Sequence, residues 1–145
     1  MKVKVTPSKV HGNVKIPTSK SMAHRALICA SLSDGTSLVS NVTNSKDIEA
    51  TVGCMKALGA IIKQIDGTTY EVTGTNLFKQ EGNITCNANE SGSTLRFLIP
   101  LAACTNAKVK FLGQGRLLQR PMDVYANEFK KQNIEFNQSD KEIIV

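Results

Sequence analysis

The chain has 145 residues, 41% hydrophobic and 21% charged, with ten glycines, four prolines and no tryptophan, which excludes a disordered, collagenous or coiled-coil chain. At this length one domain buries about two thirds of its unfolded surface, enough for a core without disulfides or metal and too little for a second complete domain. Eighteen basic against twelve acidic residues give a formal charge of +6, which suits an anionic partner without distinguishing nucleic acid, acidic lipid or a small phosphorylated metabolite.

In chain order, the pattern predicts a short strand at 14–17 and a helix over 19–32 that Asp34-Gly35 terminates. A strand follows at 37–42. A second helix begins at Ser45 or Asp47, repeats Ile48, Val52, Met55 and Leu58 at helical spacing and closes at Gly59. Residues 61–65 and 70–72 flank Asp66-Gly67 as a hairpin. After a loop over 73–83 come a strand at 84–87, a helix over 91–103 and a strand at 108–112. Pro121 then opens a helix with Met122, Tyr125, Ala126 and Phe129 on one face. A final hairpin pairs 134–136 with 142–145 about a turn at 138–141.

This is one order, strand, helix, strand, helix, strand, strand, written twice, over about 13–74 and 84–145. Arg25-Ala26-Leu27 corresponds to Arg96-Phe97-Leu98, and Asp47-Ile48 to Asp123-Val124. Each copy is too short to bury its sheet alone, so the copies are expected to pack together in an α/β (α+β) fold of repeated βαβαββ units. Pro100 costs its helix about 3 kcal/mol unless the helix kinks there, and a kink is expected.

No apolar run approaches the roughly 18 residues of a membrane span, and residues 1–11 carry no apolar leader, so a cytoplasmic protein is expected. Cys29, Cys54, Cys86 and Cys104 are far apart, with no CxxC pair and no histidine at ligand spacing. They read as reduced packing residues, and neither a metal nor a cofactor is expected.

The first helix opens with Pro17-Thr18-Ser19-Lys20-Ser21. A lysine there opposes the helix dipole by roughly 0.3–1 kcal/mol, whereas a bound anion would reverse the sign and use Lys20, Ser21 and the free amides together. Arg25, one turn on, can reach the same end. The third helix repeats the device with Asn89-Glu90-Ser91-Gly92-Ser93-Thr94-Leu95-Arg96: Gly92 admits close approach to the backbone, Ser93 and Thr94 offer hydroxyls, and Arg96 sits one turn in. Gly113-Gln114-Gly115-Arg116 supplies a loop arginine able to grip a carboxylate or phosphate bidentately. Singly, Lys20 and Arg25 also read as solvated charges, Gly92 as a turn residue and Arg116 as half of an ion pair. Asp47 reads as a cap or as a carboxylate that orients Lys20. His24 has no acid or nucleophile at a motif spacing and reads as structural or solvated.

These segments resemble a known family. GNVKIPTSKSMAHRAL is similar to the opening signature of the 5-enolpyruvylshikimate-3-phosphate synthases, ESGSTLRFL to their second motif and GQGRLLQRPM to their third, in the same order. The resemblance implies two similar domains, each of three βαβαββ units, with the active site between them. The chain then corresponds to two units of the N-terminal domain, a partial domain whose C-terminal counterpart, normally in cis, is missing; the parent is implied to be a monomer. The implied reaction transfers the enolpyruvyl group of phosphoenolpyruvate to the 5-hydroxyl of shikimate 3-phosphate and releases phosphate, in the shikimate pathway to aromatic amino acids and chorismate. By the same resemblance, Lys20, the catalytic candidate, and Arg116 bind phosphoenolpyruvate. Ser21 and Arg25 hold the carboxylate side of the shikimate ring. Gly92 lies against phosphoenolpyruvate and the inhibitor glyphosate. Asp47, Ser93, Arg96 and Glu90 are further candidates, Glu90 standing where many relatives have asparagine. The family's acid/base groups come largely from the C-terminal domain, so this chain alone is not expected to turn over.

The related enolpyruvyl transferase that acts on UDP-N-acetylglucosamine has asparagine after its motif lysine; here Ser21 follows Lys20, and Arg25 favours a carboxylated substrate. A basic RNA-binding module is a third reading. Against it, the seven Phe and Tyr residues fall on faces that read as core, with no aromatic-rich strand to stack bases.

Overall fold

Three serines set three helix starts. Ser19, Ser45 and Ser91 each accept a hydrogen bond from the backbone N–H three residues on, that of Met22, Ile48 and Thr94, at 3.3, 3.3 and 3.2 Å, satisfying donors that a helix leaves free at its first turn. The computed structural model describes residues 2–9, 11–14 and 16–145. In it Ser19 precedes α1 (Lys20–Leu32), which leads to β1 (Thr36–Val39); Ser45 precedes α2 (Lys46–Ala57), followed by β2 (Ile61–Gln64) and β3 (Tyr70–Thr73). Then come β4 (Glu81–Asn87), α3 (Gly92–Ala102) after Ser91, β5 (Asn106–Leu112), α4 (Asp123–Lys131), β6 (Asn137–Gln138) and β7 (Ile143–Ile144).

The two halves share a strand order. One sheet runs β1-β3-β2, all antiparallel; the other runs β4-β5-β7-β6, so that β5, β7 and β6 repeat the first sheet and β4 adds a parallel neighbour to β5. The β2–β3 hairpin turns as expected, with the Asp66 carboxylate accepting the Thr68 amide at 2.7 Å, a bond that also lowers the Asp66 pKa. Helices α1, α2 and α3 pack on one another, α1 on β1 and β3, α2 on β2 and β4, α3 on β5. Their inward faces, Leu27 on α1, Ile48 and Met55 on α2, and Leu95, Leu98 and Ile99 on α3, are 0% exposed and form one core with Phe111 and Ile143.

Four sequence expectations are corrected. No strand forms at Val14, Ile16 or Pro17, and Lys15 lies outside the described residues. Val14 and Ile16 are 85% and 81% exposed, and among the described residues the edge of β1 that corresponds to the β4 side of β5 has no partner. Pro121 lies outside α4, which starts at Asp123 after the uncapped Met122. The last hairpin pairs Asn137 with Ile144 and Gln138 with Ile143, because Asn133 adopts a left-handed φ of 57° and the Ile134 amide closes α4 on the Phe129 carbonyl; residues 134–136 are spent on that turn and on packing. Of the cysteines, Cys54 and Cys86 are buried, whereas Cys29 and Cys104 are on the surface; all four are free. A hydrogen bond with Cys86 and burial both push the Cys54 thiol far up, which keeps it unreactive.

Helix α3 continues two residues past Pro100. Proline has no N–H for the carbonyl four residues back, and that carbonyl, Arg96 O, accepts the Tyr125 hydroxyl at 3.0 Å instead. Tyr125→Phe should cost about 1 kcal/mol by urea unfolding, and the cost should disappear in a Pro100→Ala background, where the restored amide takes the bond. An equal loss in both backgrounds would contradict this.

Candidate functional site

The starts of α1, α2 and α3 meet. Lys20, the first residue of α1, pairs with the carboxylate of Asp47 in the first turn of α2 at 2.5 Å. The Thr94 hydroxyl, in the first turn of α3, lies 3.3 Å from the Asp47 carbonyl and 2.7 Å from the Thr51 hydroxyl of α2. The positive ends of three dipoles and their free N–H groups therefore face one region, an arrangement suited to a multiply charged anion. The sequence pattern places all three helix starts, but marks only those of α1 and α3 as anion sites; α2 enters the site only through Asp47. Ser45, not Asp47, is its cap, and the Asp47 side chain is spent on Lys20.

Two hollows open at this junction and share Asp47 and Glu90 as a wall. One, of about 490 Å³, is lined by Lys46, Asp47, Glu49, Asn89, Glu90 and Gln114. The other, of about 360 Å³, is lined by Asp47, Glu90, Gly92, Ser93, Arg96, Phe97 and Arg120. Gly92, Ser93 and Arg96 are thus together, as their spacing on α3 predicts. Arg25 turns back along α1: its Nη1 donates to the Ser21 carbonyl at 3.0 Å, and its guanidinium lies 5.0 Å over the ring of Phe97, which lines the second hollow. Ser21 is exposed in the first turn of α1.

Arg116 is exposed at the rim, capping the 3-10 turn Leu117–Gln119 without a side-chain bond, and lines neither hollow. Its neighbour Gly115 has φ +59, a conformation that favours glycine, and a Cβ there would lie 2.7 Å from Glu90 Oε1, so a larger residue would have to push that carboxylate aside. Sequence reasoning passed over Arg120. Its guanidinium lies against Gly92, where a Cβ would run into Nη1. The turn Leu117–Gln119 brings the exposed Arg120 against Gly92, and the sequence signal for it was its place in GQGRLLQRPM, beside Pro121.

His24 is fully buried, with Nδ1 2.7 Å from Thr51 Oγ1. Burial lowers its pKa, Asp47 opposes this, and Lys20 and Arg25 add to the lowering, so the ring is neutral at pH 7.

The family model described as EPSP synthase (3-phosphoshikimate 1-carboxyvinyltransferase) matches residues 4–145. The chain belongs to the EPSP synthase family. Among its relatives, the 3-phosphoshikimate 1-carboxyvinyltransferase of Clostridium perfringens SM101 is 47% identical over 142 residues, 98% of this chain and 33% of the relative. That of Clostridium kluyveri is 49% identical over 132 residues, 91% of this chain and 30% of the relative. The chain therefore spans about a third of the length of these EPSP synthases. The solved EPSP synthase from Acinetobacter baumannii superposes with a TM-score of 0.79 at 18% identity, covering 92% of this chain and 32% of that one, which shows a shared fold. Among the described residues no helix is long and apolar enough to cross a membrane.

Proposed function

We propose that these residues form the N-terminal part of a 3-phosphoshikimate 1-carboxyvinyltransferase, two repeat units at about 13–74 and 84–145, the second a βαβαββ unit and the first the same order without its leading strand, that supply half of the cradle for phosphoenolpyruvate and shikimate 3-phosphate. The observation that supports this most is the meeting of three helix starts with Lys20, Arg25, Arg96 and Arg120 around shared hollows. Lys20, Arg120 and the amides beside Gly92 hold the phosphoenolpyruvate phosphate, with Arg116 closing from the rim. Ser21 and Arg25 hold the shikimate carboxylate, Ser93 and Arg96 extend the polar floor, and Asp47 orients Lys20.

In the reaction the vinyl carbon of phosphoenolpyruvate takes a proton to become a methyl, the 5-hydroxyl attacks the adjacent carbon and loses its own proton, and the tetrahedral intermediate expels phosphate while the methyl gives up a proton to form the enol ether. Negative charge moves onto the departing phosphate, and fixed cations and helix amides stabilise it without reorganising. Proton transfers fall to groups in the C-terminal domain of the same parent chain, which acts as a monomer in the cytoplasm.

Calorimetric titration tests the substrate assignment, together with a phosphate-release assay. The purified chain should bind shikimate 3-phosphate weakly, ignore UDP-N-acetylglucosamine and release no phosphate. Preference for the nucleotide sugar would move the assignment to the related transferase. Steady phosphate release would place the acid/base groups within these residues.

A further inference from the structure

His24 lies in none of the contacts assigned above, yet it heads a chain of short polar contacts that ends at the start of α3. Its Nδ1 is 2.7 Å from Thr51 Oγ1, Thr51 Oγ1 is 2.7 Å from Thr94 Oγ1, and Thr94 Oγ1 donates to Ser91 Oγ at 2.7 Å. His24, Thr51 and Thr94 are 0% exposed and Ser91 1%. His24 Nε2 is the one buried side-chain nitrogen or oxygen without a partner among the described residues.

Counting protons fixes the direction of the chain. A hydroxyl has one proton to give. Thr94 spends its proton on Ser91, so the contact between Thr51 and Thr94 must use the proton of Thr51. Thr51 then has none left for His24, and the ring must donate from Nδ1. The carbonyl of Asp47, 3.3 Å from both threonine hydroxyls, is a longer and weaker alternative. A neutral imidazole carries one N–H, so Nε2 is left as a bare lone pair. This agrees with its isolation, because a buried acceptor without a partner is tolerated more readily than a buried N–H. At the far end Ser91 Oγ accepts both the Thr94 hydroxyl and the Thr94 amide. Ser91 itself is buried and does not line the second hollow, whereas its neighbours Glu90 and Gly92 do, so the chain ends on the cap that sets where the first α3 amides lie.

We propose that His24 is a positioning residue: as the Nδ1–H imidazole it drives a one-way chain through Thr51 and Thr94 to the Ser91 cap, and so fixes the start of α3, whose first amides beside Gly92 face the ligand. The chain also spans α1, α2 and α3, so its first two bonds hold the helix starts in register. The link to substrate rests on the cradle reading above; the tautomer does not.

Two measurements test it. In a long-range nitrogen–proton spectrum of the labelled chain at pH 7.5, His24 should show a protonated Nδ1 and a bare Nε2; the reverse tautomer overturns the proposal whatever the chain binds. In titrations with phosphoenolpyruvate, His24→Asn, whose amide can donate from the Nδ1 position, should stay within about threefold of wild type, and His24→Leu, which frees the α3 start to shift, should bind about tenfold more weakly, the equivalent of one amide hydrogen bond to the ligand. If His24→Leu does not fold, Thr51→Val cuts the chain at constant shape and should show the same loss. Equal affinity of wild type and the folded variant overturns the positioning role and leaves the cradle standing. No binding by wild type overturns both the cradle and His24's role toward substrate, and the tautomer is then judged from its spectrum alone.

Discussion

Lys20→Met should lower the affinity of the chain for phosphoenolpyruvate about tenfold while leaving its stability within about 0.5 kcal/mol of wild type. The two parts of this expectation have different origins. Lys20 stands at the positive end of α1, where the dipole opposes it by about 0.3–1 kcal/mol, and its pair with Asp47 is 55% and 31% exposed, so the gain from pairing is of similar size. Removing it is nearly neutral for folding. A charge-assisted hydrogen bond to a ligand phosphate contributes about 1.5–3 kcal/mol, and this exposure puts it at the lower end. Urea unfolding and calorimetry read the two quantities separately. An unchanged affinity would remove Lys20 from the site; a large loss of stability would make it a structural residue.

Gly92→Ala should separate the same two quantities in the opposite sense. The φ of Gly92 is not in the left-handed region, and the atom a new Cβ would meet first is Arg120 Nη1, the far end of a flexible side chain. Alanine is favoured over glycine inside a helix by up to about 1 kcal/mol. The variant should therefore be as stable as wild type or more so. The displaced guanidinium, however, leaves the hollow it lines, and the methyl occupies the approach to the α3 amides, so phosphoenolpyruvate affinity should fall about tenfold. Arg120→Ala should reproduce the loss without the gain in stability, and Arg116→Ala, at the rim, should lose less. Full affinity in Gly92→Ala would show that no ligand approaches this backbone.

Much of this was legible in the chain because the signals are local. Serine caps, the Gly59 stop and the Asp66-Gly67 turn are short-range chemistry, and the helices and the inner strands follow from them. The doubled order survived into matching strand orders for the same reason. What failed was non-local. Whether 14–17 forms a strand depends on a neighbour to pair with, and a val-ile alternation does not provide one. The last hairpin slipped because the closure of α4 consumed residues 134–136, which periodicity alone assigns to a strand.

At the site, residues that share a helix were placed correctly relative to one another: Gly92, Ser93 and Arg96 line one hollow. Relations across elements were harder. Arg116 drew attention because glycines flank it, yet the single 3-10 turn after it brings Arg120, not Arg116, against Gly92. His24 was read as structural or solvated for want of a partner carboxylate or nucleophile at motif spacing. Its partners are the hydroxyls of Thr51 and, through it, Thr94, distant in sequence and indistinguishable there from other threonines.

The most direct test of the cradle is a map of amide shifts in the nitrogen-15-labelled chain on titration with shikimate 3-phosphate, then with phosphoenolpyruvate. The result predicted is saturable change at Ser21 and Arg25 with the first ligand and at Lys20, Gly92, Ser93 and the Arg120 side chain with the second. Saturable shifts confined to the Lys108 and Lys110 face of β5, or no saturable shift at the three helix starts, would contradict it.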